Sequence, residues 1–182
     1  MLCLANLASN KATHCDLGRL HIAELTNNLN CSDRLVQLWT ISLLRGLSTN
    51  PGYRDEIISC DALPSLLSFV HRDDREIKLE VLSALCNLSL GGCLGDKAKA
   101  VLAAVDMQTM ISFLCNPSDS THTVFASLAI GNVASNADLH ASVLESKALD
   151  SMLGLSDSVD FESKRCIAYA VCNLSSDKQN RP

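Results

Sequence analysis

One five-residue phrase recurs along the chain and governs what it can fold into. Leu4-Ala5-Asn6-Leu7-Ala8, Leu44-Arg45-Gly46-Leu47-Ser48, Leu85-Cys86-Asn87-Leu88-Ser89, Ile130-Gly131-Asn132-Val133-Ala134 and Val171-Cys172-Asn173-Leu174-Ser175 are variants of it, with centres 40, 41, 45 and 41 positions apart. A fixed period of this length means a supersecondary unit that cannot bury its apolar face alone and must stack on its neighbours. A second marker keeps the same frame: Asp33, Asp74, Asp119 and Asp160 each stand 13 residues before a centre.

Aspartate ahead of an apolar-periodic run is a helix-start signal, because its carboxylate accepts from the free amides of the first turn. Each unit is therefore expected to hold a long helix that begins just after its Asp and ends near the recurring phrase. Three before the centre come Leu43, Ala84, Ala129 and Ala170, and the pairs Leu44/Leu47, Leu85/Leu88, Ile130/Val133 and Val171/Leu174 flank the centres. That spacing makes one buried helical face. Shorter apolar runs lie upstream (Ile22 to Leu29, Leu63 to Val70, Met107 to Leu114, Leu149 to Leu153) and predict a second helix. Arg54 to Ile58, Lys97 to Val105 and Ala137 to Leu144 predict a first helix in three units, whereas residues 11 to 17 are only weakly helical.

Three helices in a unit of about 40 residues, closed by the Asn-Leu-Ser phrase, resemble the armadillo repeat. The resemblance extends over nearly the whole chain. It implies an all-α fold, a right-handed α-α superhelix (armadillo solenoid) of about four repeats. The expected divisions are a truncated third helix at 1–10, repeats at 11–50, 51–91, 92–136 and 137–177, and the start of a further repeat at 178–182. The extra residues of the third repeat fall in Leu90 to Gly95, a loop-like insertion whose glycines do not make a phosphate loop, since Asp96 stands where lysine would be needed. Both ends look cut, which suggests a piece of a longer array.

In peptide-binding members of this family the repeated Asn hydrogen-bonds the main chain of an extended ligand. An amide suits that role because it both donates and accepts. By position the resemblance makes Asn6, Asn87, Asn132 and Asn173 the candidate ladder, broken by Gly46. An Asn near a helix end can equally cap its own carbonyls or the next loop, so both readings stand at each site. Four before the centres come Leu2, Ser42, Ser83, Leu128 and Tyr169, where the importin-α branch carries Trp. With Tyr169 as the one aromatic there, a general receptor for nuclear-localisation signals is not expected. Seven before the centres come Trp39, Glu80, Phe125 and Cys166, on the same helix face. Trp39 is either an interface anchor or a core residue. Glu76, Glu80 and Glu162 are either solvated charges or a preference for a basic segment.

The expected function is a protein-protein interaction module or scaffold that binds an extended partner segment in the concave groove. The alternative is a structural spacer in a longer armadillo- or HEAT-like array, and an enzyme is a distant third. Net charge −5 gives no footprint for nucleic acid. His14, His21, His71, His122 and His140 are scattered, and no motif calls for a metal or cofactor. The nine cysteines form no CxxC pair and mostly sit in apolar runs, as small buried hydrophobes do in a reducing compartment. No stretch reaches the roughly 18 to 20 apolar residues that span a bilayer, so membrane contact is expected only through a partner. The expected location is the cytoplasm or nucleus.

Overall fold

The computed structural model describes residues 2–10, 12, 21–90, 96–100, 103, 107–115, 120–155, 157 and 160–176. Every regular element among these is helical. The chain divides into two units, Met1–Gly95 and Asp96–Pro182.

In the first unit α1 (Leu2–Ala8) is followed by α2 (Ile22–Asn27), which tightens into a 3-10 turn at Asn28–Asn30. Then come α3 (Arg34–Leu47), α4 (Pro51–Ser59), α5 (Ala62–Val70) and α6 (Arg75–Leu88). Helices α3 and α6 start one residue after their aspartates, as the sequence predicts. Asp33 accepts from the amides of Leu35 and Val36, and Asp74 accepts from that of Ile77. The first helix of this repeat begins earlier than the apolar pattern indicates, at Pro51 rather than Arg54. Asn50 accepts from Gly52 N, and proline at the first helical position gives up an amide that would have had no partner there.

In the second unit residues 96–100 and 103 are helical, followed by α7 (Met107–Leu114) and α8 (Ser120–Val133). A 3-10 turn at Ala137–Leu139 leads into α9 (His140–Glu145), then α10 (Ala148–Leu155) and α11 (Phe161–Leu174). Asp160 caps α11 through the amides of Glu162 and Ser163 and also accepts from the Ser163 hydroxyl. These bonds favour the charged carboxylate and hold its pKa below the usual value, the Ser163 hydroxyl most of all. The expected cap Asp119, the insertion at 91–95 and, apart from Ala12, the weakly helical stretch at 11–17 lie outside the described residues.

The two units are built on one motif, a 14-residue third helix packed on its predecessor. In the first unit α3 packs against both α1 and α6; in the second, α8 packs against α11. Leu43, Leu44 and Leu47 of α3 and Leu82, Ala84 and Leu85 of α6 are fully buried. Each buried leucine contributes about 1.5–3 kcal/mol of apolar burial. Ala129, Ile130 and Val133 of α8 and Ala170 and Leu174 of α11, the helix it packs on, are likewise buried. At the rim of the first unit Arg34 grips Asp74 through two bonds of 2.6 and 3.0 Å and reaches Glu76 at 2.9 Å.

The turn between the first and second helices has a feature the sequence does not announce. Asp61 (φ 52°) and Lys147 (φ 63°) occupy the left-handed region, and each lies 26 residues before a centre, Asn87 or Asn173. A side chain there costs about 1 kcal/mol that glycine avoids. Lys147→Gly is therefore expected to raise stability by up to about 1 kcal/mol, read as a higher urea midpoint at unchanged slope.

Asp74 yields a pH prediction. The Arg34 guanidinium holds its carboxyl below the usual 3.8, helped by the Ile77 amide. A depressed folded-state pKa adds stability that is present above pH 3.8 and is lost as pH falls through the lower folded value. Urea unfolding at a series of pH values should show stability falling below that point. Asp74→Asn should be less stable at neutral pH and have a shallower acid limb.

Candidate partner-binding face

Asn87, Asn132 and Asn173 sit one residue before the ends of their helices. Asn87 is half-buried, and its Nδ2 donates to the Arg45 carbonyl of α3 at 3.3 Å. Asn173, also half-buried, donates in the same way to the Gly131 carbonyl of α8 at 2.9 Å. Both bonds reach back 42 residues, to the position just before the preceding centre. The asparagine thus caps neither its own helix nor the next loop; it ties one third helix to the one before it. Its Oδ1 and second N–H make no other bond to the described residues.

Asn132 is placed differently, with only 4% of its surface exposed. Its Oδ1 accepts from the Tyr169 hydroxyl at 3.3 Å, long beside the usual distance of about 2.8 Å for such a pair. The Tyr169 ring lies directly over Gly131, where an added Cβ would come within 2.6 Å of ring carbon Cδ1. Tyr169 therefore covers Asn132 while remaining 40% exposed itself. Asn6 is exposed on α1. Gly46 stands at a centre because a Cβ there would meet the Ala8 main chain at 2.7 Å. No asparagine fits, and the break in the ladder is steric.

Trp39 is half-buried on α3, and Phe125 is half-buried on α8. Glu80 lies one turn and more before Asn87 on α6, but its carboxylate is held by Arg45 Nε at 2.6 Å. Glu76 is held by Arg34 and Glu162 by Arg165. The carboxylates that a basic segment would seek are thus each already paired with an arginine. Arg54 of α4, which no sequence pattern singled out, braces the end of α6 by donating to the carbonyls of Asn87 at 3.3 Å and Leu90 at 3.0 Å.

Cys166, His122 and His140 are buried. Burial pushes the Cys166 thiol above its usual pKa, away from a reactive thiolate. His140 is buried with Nε2 2.8 Å from the Ala134 carbonyl, and the His122 ring stacks on Phe113. Among the described residues no three His, Cys, Asp or Glu side chains come together as metal ligands, and no helix is long and apolar enough to cross a membrane.

The steric origin of the glycines can be checked. Gly46→Ala should lose about 1–3 kcal/mol, because its new Cβ meets rigid main chain of α1. Gly131→Ala clashes with the movable Tyr169 ring and reaches main chain only at an ordinary contact distance of 3.4 Å, so it should cost less and instead change the near-ultraviolet circular dichroism of tyrosine.

Residues 50–90 match the family model of the armadillo/beta-catenin-like repeat. No curated protein matches the sequence at a significant level. Solved structures do match in fold. A designed armadillo repeat protein superposes over 98% of this chain and 76% of its own, with a TM-score of 0.87 at 17% identity. A second designed armadillo repeat protein, in complex with the peptide (KR)4, matches over 94% of this chain and 72% of its own (TM-score 0.80, 19% identity). A structure concerned with the phosphorylation switch controlling the interaction between cadherin and beta-catenin matches over 98% of this chain and 34% of its own (TM-score 0.83, 18% identity). At these identities the likeness carries the fold.

Proposed function

We propose that this chain, which has the armadillo-repeat fold, is a scaffold that binds an extended segment of a partner protein along its third helices. The observation that carries the reading is the same asparagine geometry in two separate units. Asn87 and Asn173 are each fixed through one N–H to the preceding helix, which leaves an oxygen and an N–H of known orientation. A pre-oriented amide is the complement of one peptide unit of an extended chain, and holding it in place beforehand lowers the entropy lost on binding. In the first unit Trp39 and Glu80 flank this position, with Asn6 on α1. In the second, Asn132, Phe125 and Tyr169 do so. The neighbours that hold a (KR)4 peptide or concern the cadherin interaction support a peptide or protein as the partner class. We place the protein in the reducing interior of the cell, with no cofactor and no catalytic step.

The Asn87–Arg45 and Asn173–Gly131 bonds favour a second reading, that the ladder serves stacking alone and the chain is a spacer. One experiment separates the two. Asn87→Ala, Asn132→Ala and Asn173→Ala combined should lower stability by about 1 kcal/mol per lost bond while far-ultraviolet circular dichroism shows the helices intact. In pull-downs from lysate at a temperature where both proteins are folded, the binding reading expects the variant to lose partners that the parent retains. An unchanged partner set, with the same loss of stability, would leave only the spacer.

A further inference from the structure

A cleft of about 630 Å3 opens in the first unit between the end of α2 and α5, lined by none of the residues of the third-helix face discussed above. We infer that it is a second binding site, for an anionic side chain of a peptide segment, a carboxylate or a phosphate, anchored by Arg72. The inference goes beyond the proposed third-helix function and does not depend on it.

Among the described residues Arg72 is the one charged residue lining the cleft, in a chain with 20 acidic and 15 basic side chains. Its guanidinium is held in place by neutral groups. Its carbon lies 4.0 Å from the centroid of the Phe69 ring, and Nη1 donates to Gln37 Oε1 at 2.9 Å. Gln37 is itself immobilised and nearly buried, because its Nε2 donates to the carbonyls of Leu29 at 3.1 Å and Cys31 at 2.5 Å. With both its N–H groups directed at carbonyls, the amide can only present its oxygen to Arg72. A guanidinium has five N–H donors, so most of its fork stays open after this single bond.

Four other described arginines contrast with it. Arg34, Arg45 and Arg165 are neutralised by carboxylates, and Arg54 is spent on two carbonyls. Among the described residues Arg72 has no carboxylate partner. A positioned, uncompensated guanidinium is suited to the two-pronged recognition of a carboxylate or phosphate. The hydroxyls of Ser32 and Ser65, which also line the cleft, make no bond to the described residues and can donate to an oxyanion's remaining oxygens. The cleft's volume falls in the range of sites that enclose a residue-sized ligand, far more than a bare anion fills.

The test is a 15N NMR titration of the whole chain with three probes: acetyl-glutamyl-N-methylamide, acetyl-phosphoseryl-N-methylamide and inorganic phosphate. The Arg72 Nε–H and Gln37 side-chain amide signals should move and saturate with at least one capped amino acid, more tightly than with inorganic phosphate. The capped probe that binds better identifies the anion. Arg72→Gln should weaken that binding about tenfold to a hundredfold, Arg72→Lys should weaken it less, and Arg34→Gln should leave it unchanged. Circular dichroism checks that each variant is folded, and Arg72→Lys supplies the readout should the glutamine variant not fold. Binding of inorganic phosphate as tight as that of the capped probes, an equal loss in Arg34→Gln, or no saturable shift at Arg72 would overturn the inference.

Discussion

Everything else in this protein depends on the contact of one third helix with the next. Within each unit that contact has the same parts: small and aliphatic residues three before and one after the centre are buried, and an asparagine amide reaches back to a carbonyl of the previous helix. The apolar part supplies most of the free energy, since several leucine-sized side chains are fully removed from water. The amide bond is weaker, of order 1 kcal/mol, but it is directional and sets register. A one-turn slip would leave the Arg45 or Gly131 carbonyl without its donor and set side chains against main chain at Gly46.

This division of labour explains why some positions tolerate little change. At Gly46 the helices approach so closely that a methyl group would strike main chain. At Gly131 the space that a Cβ would take is filled by the edge of an aromatic ring, so the same residue type serves two purposes in the two units. Arg34–Asp74 and Arg45–Glu80 add rim pairing between α3 and α6 that salt can screen. The rim pairs occupy carboxylates that would otherwise draw a basic ligand, and the face is therefore less acidic in effect than its sequence implies.

The fold was legible because it rests on periodicity. Three aspartates at a fixed offset cap α3, α6 and α11, and the recurring phrase marks where those helices end. The candidate site was legible by position but not by state. Asn87 and Asn132 carry the same mark in the sequence, yet Asn87 is half-buried while Asn132 is buried under Tyr169. That difference comes from residues about 40 positions away, which no local pattern connects. Arg54 and Arg72 were silent for a similar reason: each acts through partners 33 to 36 residues distant, on other helices. The left-handed turns at Asp61 and Lys147 were hidden because neither residue is the glycine that usually signals such a turn.

In the proposed function Asn87 and Asn173 serve two roles at once, holding the stack with one N–H and meeting a partner's main chain with the rest of the amide. This dual role is tested most directly by following their side-chain amide signals by NMR as a segment captured by the protein is added. Both amides should shift saturably on binding while the N–H engaged with the Arg45 or Gly131 carbonyl keeps its protection from solvent exchange throughout. Binding that leaves both amides unmoved would contradict it and reduce the ladder to a stacking device.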